Sequence, residues 1–186
     1  DCINLKIIEG KYASEDRRCI IMDGILKSFA PADLKEYIIP SGVKSIGSYA
    51  FWGASSLEKL TIPNGVTSIG LCAFGGCAYL KDIIIPESVD IITGNAFSGC
   101  RSLEELTIPD GVTQIDSYTF HGCTNLKKII LPQSIVKVGS YAFYDCKSLE
   151  SIDIPDGVTA IGSSAFSGCT SLKSFNMPQG VTTIKE

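Results

Sequence analysis

Apolar and polar positions along this chain repeat with a constant period of 23 residues. Prolines at 40, 63, 86, 109, 132, 155 and 178 set the frame, and positions are counted as offsets from each of them. Offset 3 carries Val43, Val66, Val89, Val112, Ile135, Val158 and Val181. Offset 6 carries Ile46, Ile69, Ile92, Ile115, Val138, Ile161 and Ile184. Phenylalanine fills offset 11 from Phe51 to Phe166, and leucine fills offset 17 from Leu57 to Leu172. Offsets 20 and 22 are apolar from Leu60 and Ile62 to Phe175 and Met177. A fixed period of this size marks a solenoid, in which one coil cannot hide its apolar side and stacked coils can.

Offsets 17, 20 and 22 read Leu-x-x-Leu-x-Ile, a strand whose alternate residues face inward. Proline ends that strand because it has no N–H for the ladder. Glycine at offset 2 suits the turn that follows, although Ser88 and Ser134 replace it. A second short extended segment, Val-x-x-Ile-Gly, comes next. Ala-Phe at offsets 10 and 11 is expected on one helical turn, with the offset-13 glycine near its end.

Together, Ile-Pro-x-Gly-Val-x-x-Ile-Gly-x-x-Ala-Phe-x-Gly-Cys-x-x-Leu resembles the BspA-type (Treponema pallidum-type) leucine-rich repeat, which is common in bacterial surface proteins. The resemblance covers roughly residues 34–186. It implies an α/β repeat fold: a right-handed leucine-rich-repeat solenoid with a parallel β-sheet, short helical turns and an N-terminal β cap. Departures are local: Ala54 for Cys, Asp145 for Gly, Thr119 for Ala, and Thr93 and Asp116 for Gly at offset 7. None is expected to disturb the fold.

Residues 1–33 lie outside the repeat and read as a three-stranded meander around Tyr12-Ala13-Ser14, Arg18–Ile21 and Ile25–Phe29. Asp23-Gly24 is a hairpin signal. The meander fits a cap over the first coil, or a fragment of a preceding domain. Residues 34–186 then form the solenoid: a half-repeat, six full repeats and a truncated seventh. The last repeat stops at Glu186 without a cap, as expected of a chain cut from a longer one or covered end-to-end by another molecule. Asp1-Cys2-Ile3-Asn4 is not the start of a signal peptide, so the chain reads as mature or excised.

Net charge is −4 with Lys and Arg scattered, which does not form the basic stripe that nucleic acid needs. Apolar runs are far too short to span a membrane. Of the eight cysteines, Cys77, Cys100, Cys123, Cys146 and Cys169 share offset 14. An odd column with parallel side chains is poor disulfide geometry, so these read as buried reduced thiols. A spacing of 23 with one histidine matches no zinc pattern. Cys72 is expected on the surface. Cys2 and Cys19 lie outside the array, and a bridge between them stays open. Offset 18 alternates in sign (Lys35, Glu58, Lys81, Glu104, Lys127, Glu150, Lys173), which places each lysine between two glutamates of neighbouring coils.

No catalytic or cofactor motif is legible. His121 has no assigned nucleophile or orienting carboxylate, and Glu104-Glu105 point to opposite sides of a strand. Surface remains. On the strand face, Lys59, Asp82, Ile84, Glu105, Lys128 and Ile130 form one candidate partner-binding face, against the plain reading of a solvated charged edge. The aromatics Tyr49, Trp52, Tyr118, Tyr141 and Tyr144 form a second candidate strip, against simple packing over the coil turn. The family resemblance implies a non-enzymatic adhesion module at the cell surface or secreted, binding host matrix or cell-surface protein or, alternatively, glycan. A structural spacer with no ligand of its own is the other reading.

Overall fold

The computed structural model describes residues 5–184. In chain order the strands are β1 (Cys19–Met22), β2 (Ile25–Phe29), β3 (Glu36–Ile38), β4 (Ser45–Ile46), β5 (Lys59–Thr61), β6 (Ser68–Ile69), β7 (Asp82–Ile84), β8 (Ile91–Ile92), β9 (Glu105–Thr107), β10 (Gln114–Ile115), β11 (Lys128–Ile130), β12 (Lys137–Val138), β13 (Ser151–Ile152), β14 (Ala160–Ile161), β15 (Ser174–Phe175) and β16 (Thr183–Ile184). From β3 on, each coil contributes one strand before its proline and one after it. Equivalent strands pair in parallel, so that Leu60 lies on Tyr37 and Ile69 on Ile46. The chain is thus a β-solenoid of 23-residue coils.

Columns legible in the sequence are the core. Phe51, Phe74, Phe97, Phe120 and Phe143 are all buried and stack with centroids 5.2–5.6 Å apart. Leu57, Leu80, Leu103, Leu126 and Leu149 are fully buried as a second column. Each such side chain contributes roughly 1.5–3 kcal/mol by leaving water. At the N-terminal end, Phe29 extends the column by packing on Phe51 at 4.7 Å. Phe29 sits on a hairpin: β1 and β2 are antiparallel, turn at Asp23-Gly24 with φ of 52° and 74°, and lead β2 into a parallel pairing with β4. The expected strand at residues 12–14 is reduced to one bridge, Ala13 with Ile20.

Two expectations are corrected. The described residues contain no helix, so Ala-Phe lies on turns and not on a helical turn. The cause is backbone conformation at offset 9. Tyr49, Cys72, Asn95, Tyr118, Tyr141 and Ser164 all take φ between 51° and 61°, a left-handed conformation that no right-handed helix tolerates. Hydrogen bonds alternate accordingly. The Tyr49, Phe51 and Gly53 N–H groups donate to Leu71, Ala73 and Gly75 carbonyls of the next coil, while Ala50, Trp52 and Ala54 donate back within their own turn. Every backbone donor in the segment is paired without a helix. Cys72 is also not on the surface: it is buried, and its thiol lies against the Tyr49 hydroxyl of the preceding coil.

The ladders are interrupted once. On both sides of the proline the sheets divide at the same junction: β3-β5-β7 from β9-β11-β13-β15, and β1-β2-β4-β6-β8 from β10-β12-β14-β16. The turn side of that junction stays closed, with Phe97 and Gly99 donating to Thr119 and His121. The junction coincides with a departure in the offset-7 column. A Cβ built on Gly70, Gly139 or Gly162 would stand 2.3–2.6 Å from backbone nitrogen of the preceding coil, so glycine lets the backbones approach closely there. Among the described residues, Asp116 and Thr93 are the exceptions. Thr93 still rests on Gly70 and keeps its N–H bond to Ile69. Asp116 rests on Thr93, and there the coils part. Its carboxyl pKa is raised by burial, opposed by Lys137 and by the Gly94 N–H. The departure leaves the fold in place, as expected, while the strand ladders do not run through this junction.

Candidate partner-binding faces

On the strand face the backbone pleat sends offsets 20 and 22 inward and offsets 19 and 21 outward. Lys59 therefore lies beside Asp82, with an ion pair of 3.1 Å, and Lys128 lies beside Glu105. Ile84 and Ile130 project from the next outward position, opposite Thr61 and Thr107 of their neighbours. All six residues of this candidate face share one side of the rod. They also frame three open hollows. The first, about 380 Å³, lies between Lys59, Thr61, Asp82 and Ile84. The second, about 350 Å³, lies at the parted junction between Ile84, Glu87, Glu105, Thr107, Lys128 and Ile130. The third, also about 350 Å³, lies beyond Ile130, between Lys128, Ser151, Asp153 and Asp156. The residues were legible in the sequence; the hollows were not, because Glu87 and Asp156 enter them from the turn after the proline.

The offset-18 column is paired less evenly than its alternating signs imply. Glu58 is held from both sides, by Lys35 at 2.9 Å and Lys81 at 2.7 Å. Hydrogen bonds from Lys81 and then Lys35 pull its carboxyl down to about 2. Lys127 pairs with Glu104 at 2.7 Å and Lys173 with Glu150 at 3.2 Å. Among the described residues no ion pair crosses from Lys81 to Glu104 or from Lys127 to Glu150, although the sheets divide only at the first of these steps. Such exposed pairs are screened by solvent and add little to stability.

The aromatic strip divides into two groups. Trp52 packs edge-on to Tyr49 at 5.8 Å and covers Gly75, whose added Cβ would meet its ring. Three coils on from Tyr49 and Trp52, Tyr118 stacks on Tyr141 at 4.9 Å and His121 stacks on Tyr144 at 5.3 Å. Sequence reasoning left His121 out of this strip, although it shares the column of Trp52 and Tyr144. The rings meet face to face along the rod axis, so much of their flat surface is spent on one another and the group fastens neighbouring turns.

The thiol column is occupied chemically as well as sterically. Cys77, Cys100, Cys123, Cys146 and Cys169 each donate an S–H to the carbonyl of a phenylalanine in the preceding coil, at 3.1–3.3 Å. Burial pushes the Cys77 and Cys123 thiols up to about 12 and the Cys100 and Cys146 thiols also upward. Cys19 is likewise buried, with its sulfur 3.1 Å from the Tyr37 hydroxyl. Cys2 lies outside the described residues.

This stacking of coils can be set beside known proteins. The family model described as BspA type leucine-rich repeat region matches in six copies over residues 26–115 and 91–186. The chain belongs to the BspA-type leucine-rich repeat family. A T. pallidum leucine-rich repeat protein is 31% identical, with a TM-score of 0.77, over 90% of this chain and 80% of that one. A leucine-rich repeat protein from Bacteroides ovatus is 30% identical, with a TM-score of 0.82, over 97% of this chain and 48% of that one. A leucine-rich cell surface protein from Faecalibacterium prausnitzii is 27% identical, with a TM-score of 0.70, over 89% and 54%. The BspA-type chain thus spans about half the length of the latter two. No curated protein sequence matches it. The family fold is a repeat scaffold, and none of the described residues forms a helix long and apolar enough to cross a membrane.

Proposed function

We propose that this chain is a non-enzymatic protein-binding module of a bacterial cell-surface or secreted protein, and that it meets its partner through the outward strand face. One observation carries the reading: Ile84 and Ile130 stand 77% and 48% exposed on a rigid sheet, flanking a hollow with charged rims. Apolar residues held at fixed positions among charges provide a central contact with a polar surround. The wording of the Faecalibacterium relative, a cell surface protein, supports the compartment.

The test is cell binding by the labelled chain, on cultured epithelial cells and on immobilised extracellular matrix. A variant carrying Lys59→Ala, Ile84→Ser, Glu105→Ala and Ile130→Ser keeps the fold, because all four side chains point outward, and loses binding. Protease treatment of the cells removes binding and periodate does not, since a protein surface is read and not a glycan. A folded variant that binds as before would instead favour the spacer. That second reading is supported by the longer relatives, of which this chain matches about half.

A further inference from the structure

Neighbouring coils are bonded along three sides of the rod: the strand before the proline, the strand after it, and the turn that carries Ala-Phe. On either side of the parted junction all three are bonded. Lys127 and Lys128 donate to the Glu104 carbonyl, Val136 to Thr113 and Gly139 to Ile115. Lys81 and Asp82 donate to Glu58, Asp90 to Thr67 and Thr93 to Ile69. The equivalent donors at the parted junction are the N–H groups of Glu104, Thr113 and Asp116. Among the described residues, none of the three bonds the preceding coil. The Ser134 hydroxyl, which reaches the Val112 carbonyl across the proline turn, has Gly111 as its counterpart there. The unbonded stretch is therefore one continuous arc, in which residues 81–93 face residues 104–116.

This arc ends at a segment bonded on both sides. Gly94, Ala96 and Ser98 accept from Cys72, Phe74 and Gly76 of the coil before. Asn95, Phe97 and Gly99 donate to Ser117, Thr119 and His121 of the coil after. Across the arc itself only packing remains, with Ile83 and Ile92 buried on one side and Leu106 and Ile115 on the other. Apolar contact has no preferred direction and tolerates small tilts, whereas a hydrogen-bond ladder fixes distance and angle. Beside the arc, Phe97 to Phe120 is the widest step of the column from Phe51 to Phe166, at 5.6 Å against 5.2–5.4 Å elsewhere.

In a stack whose units touch only their neighbours, motion concentrates at the least-bonded interface. We propose that the rod carries one hinge: residues 94–99 are its pin, residues 5–93 and 104–184 rock as two bodies, and the arc opens on the side of the strands. The second strand-face hollow lies in the mouth of this hinge. Ile84 and Glu87 stand on one lip, and Glu105, Thr107, Lys128 and Ile130 on the other. Rocking changes the width of that hollow and the separation of Ile84 from Ile130. The first and third hollows are each built within one body and keep their shape. A partner that spans the junction thus selects one opening of the hinge. The hinge itself does not depend on what the strand face binds.

Residual dipolar couplings of the backbone N–H groups, measured on the isotopically labelled chain in a dilute aligning gel, test it. Alignment tensors fitted separately to residues 5–93 and 104–184 are expected to differ in magnitude, because rocking averages the two bodies unequally. Dividing residues 104–184 again, at the bonded step between β11 and β13, gives two fits of equal magnitude. A single tensor for the whole chain would mean a rigid rod and would overturn the proposal. Two tensors of equal magnitude in different orientations would mean a fixed bend and overturn it equally. If the hinge is found while the Ile84→Ser, Ile130→Ser chain binds cells as before, only the strand-face reading falls.

Discussion

Phe97 lies between Phe74 at 5.2 Å and Phe120 at 5.6 Å, with no exposed surface. Phe97→Ala removes contacts from both neighbours at once and leaves a cavity that the ladders cannot close. A loss of about 3–5 kcal/mol is expected in urea unfolding. The thiols beside this column respond to pH. Their folded pKa values are raised above the usual 9, to about 12 for Cys77 and Cys123, so the folded chain holds more protons than the unfolded one in between. Stability is fully present below about pH 9 and is lost as pH rises through that window, by up to about 1.4 kcal/mol per pH unit for each thiol. Cys100→Ala with Cys123→Ala flattens the alkaline limb of a Tm-against-pH curve. The same steepness in the variant would contradict the assignment. At this scale the sequence was informative wherever periodicity decided burial. It was silent at offset 9, where tyrosine, cysteine, asparagine and serine take the left-handed conformation alongside the inter-coil hydrogen bonds. The misplacement of Cys72 follows from that alone.

Between elements, the close approach at offset 7 governs whether ladders continue. If the Asp116 side chain keeps β8 from β10, Asp116→Gly lets both sheets run through the junction. Hydrogen exchange at the Glu104, Thr113 and Asp116 amides slows by about tenfold or more, and the unfolding midpoint rises. Unchanged exchange would show that another cause parts the coils. The converse is Gly139→Ala, whose methyl would lie 2.4 Å from the Ser117 nitrogen. It should open a second break and cost about 1–3 kcal/mol. The Asp-for-Gly departure was visible in the sequence. Its consequence was not, because a missing glycine matters only where two backbones come within van der Waals distance.

For the whole molecule, stacked coils leave side chains free on limited surfaces, and the strand face is the one on which apolar ridges, hollows and charge coincide. The alternation of Ile and Thr at offset 21, and of Lys and Glu at offset 18, exposed a two-coil unit in the sequence. The most direct test compares the two candidate faces in one cell-binding assay at matched stability. The Ile84→Ser, Ile130→Ser chain is expected to lose binding, while Tyr118→Ser, Tyr144→Ser, altered on the fastened aromatic turns, retains it. Retention by the first variant and loss by the second would contradict the account.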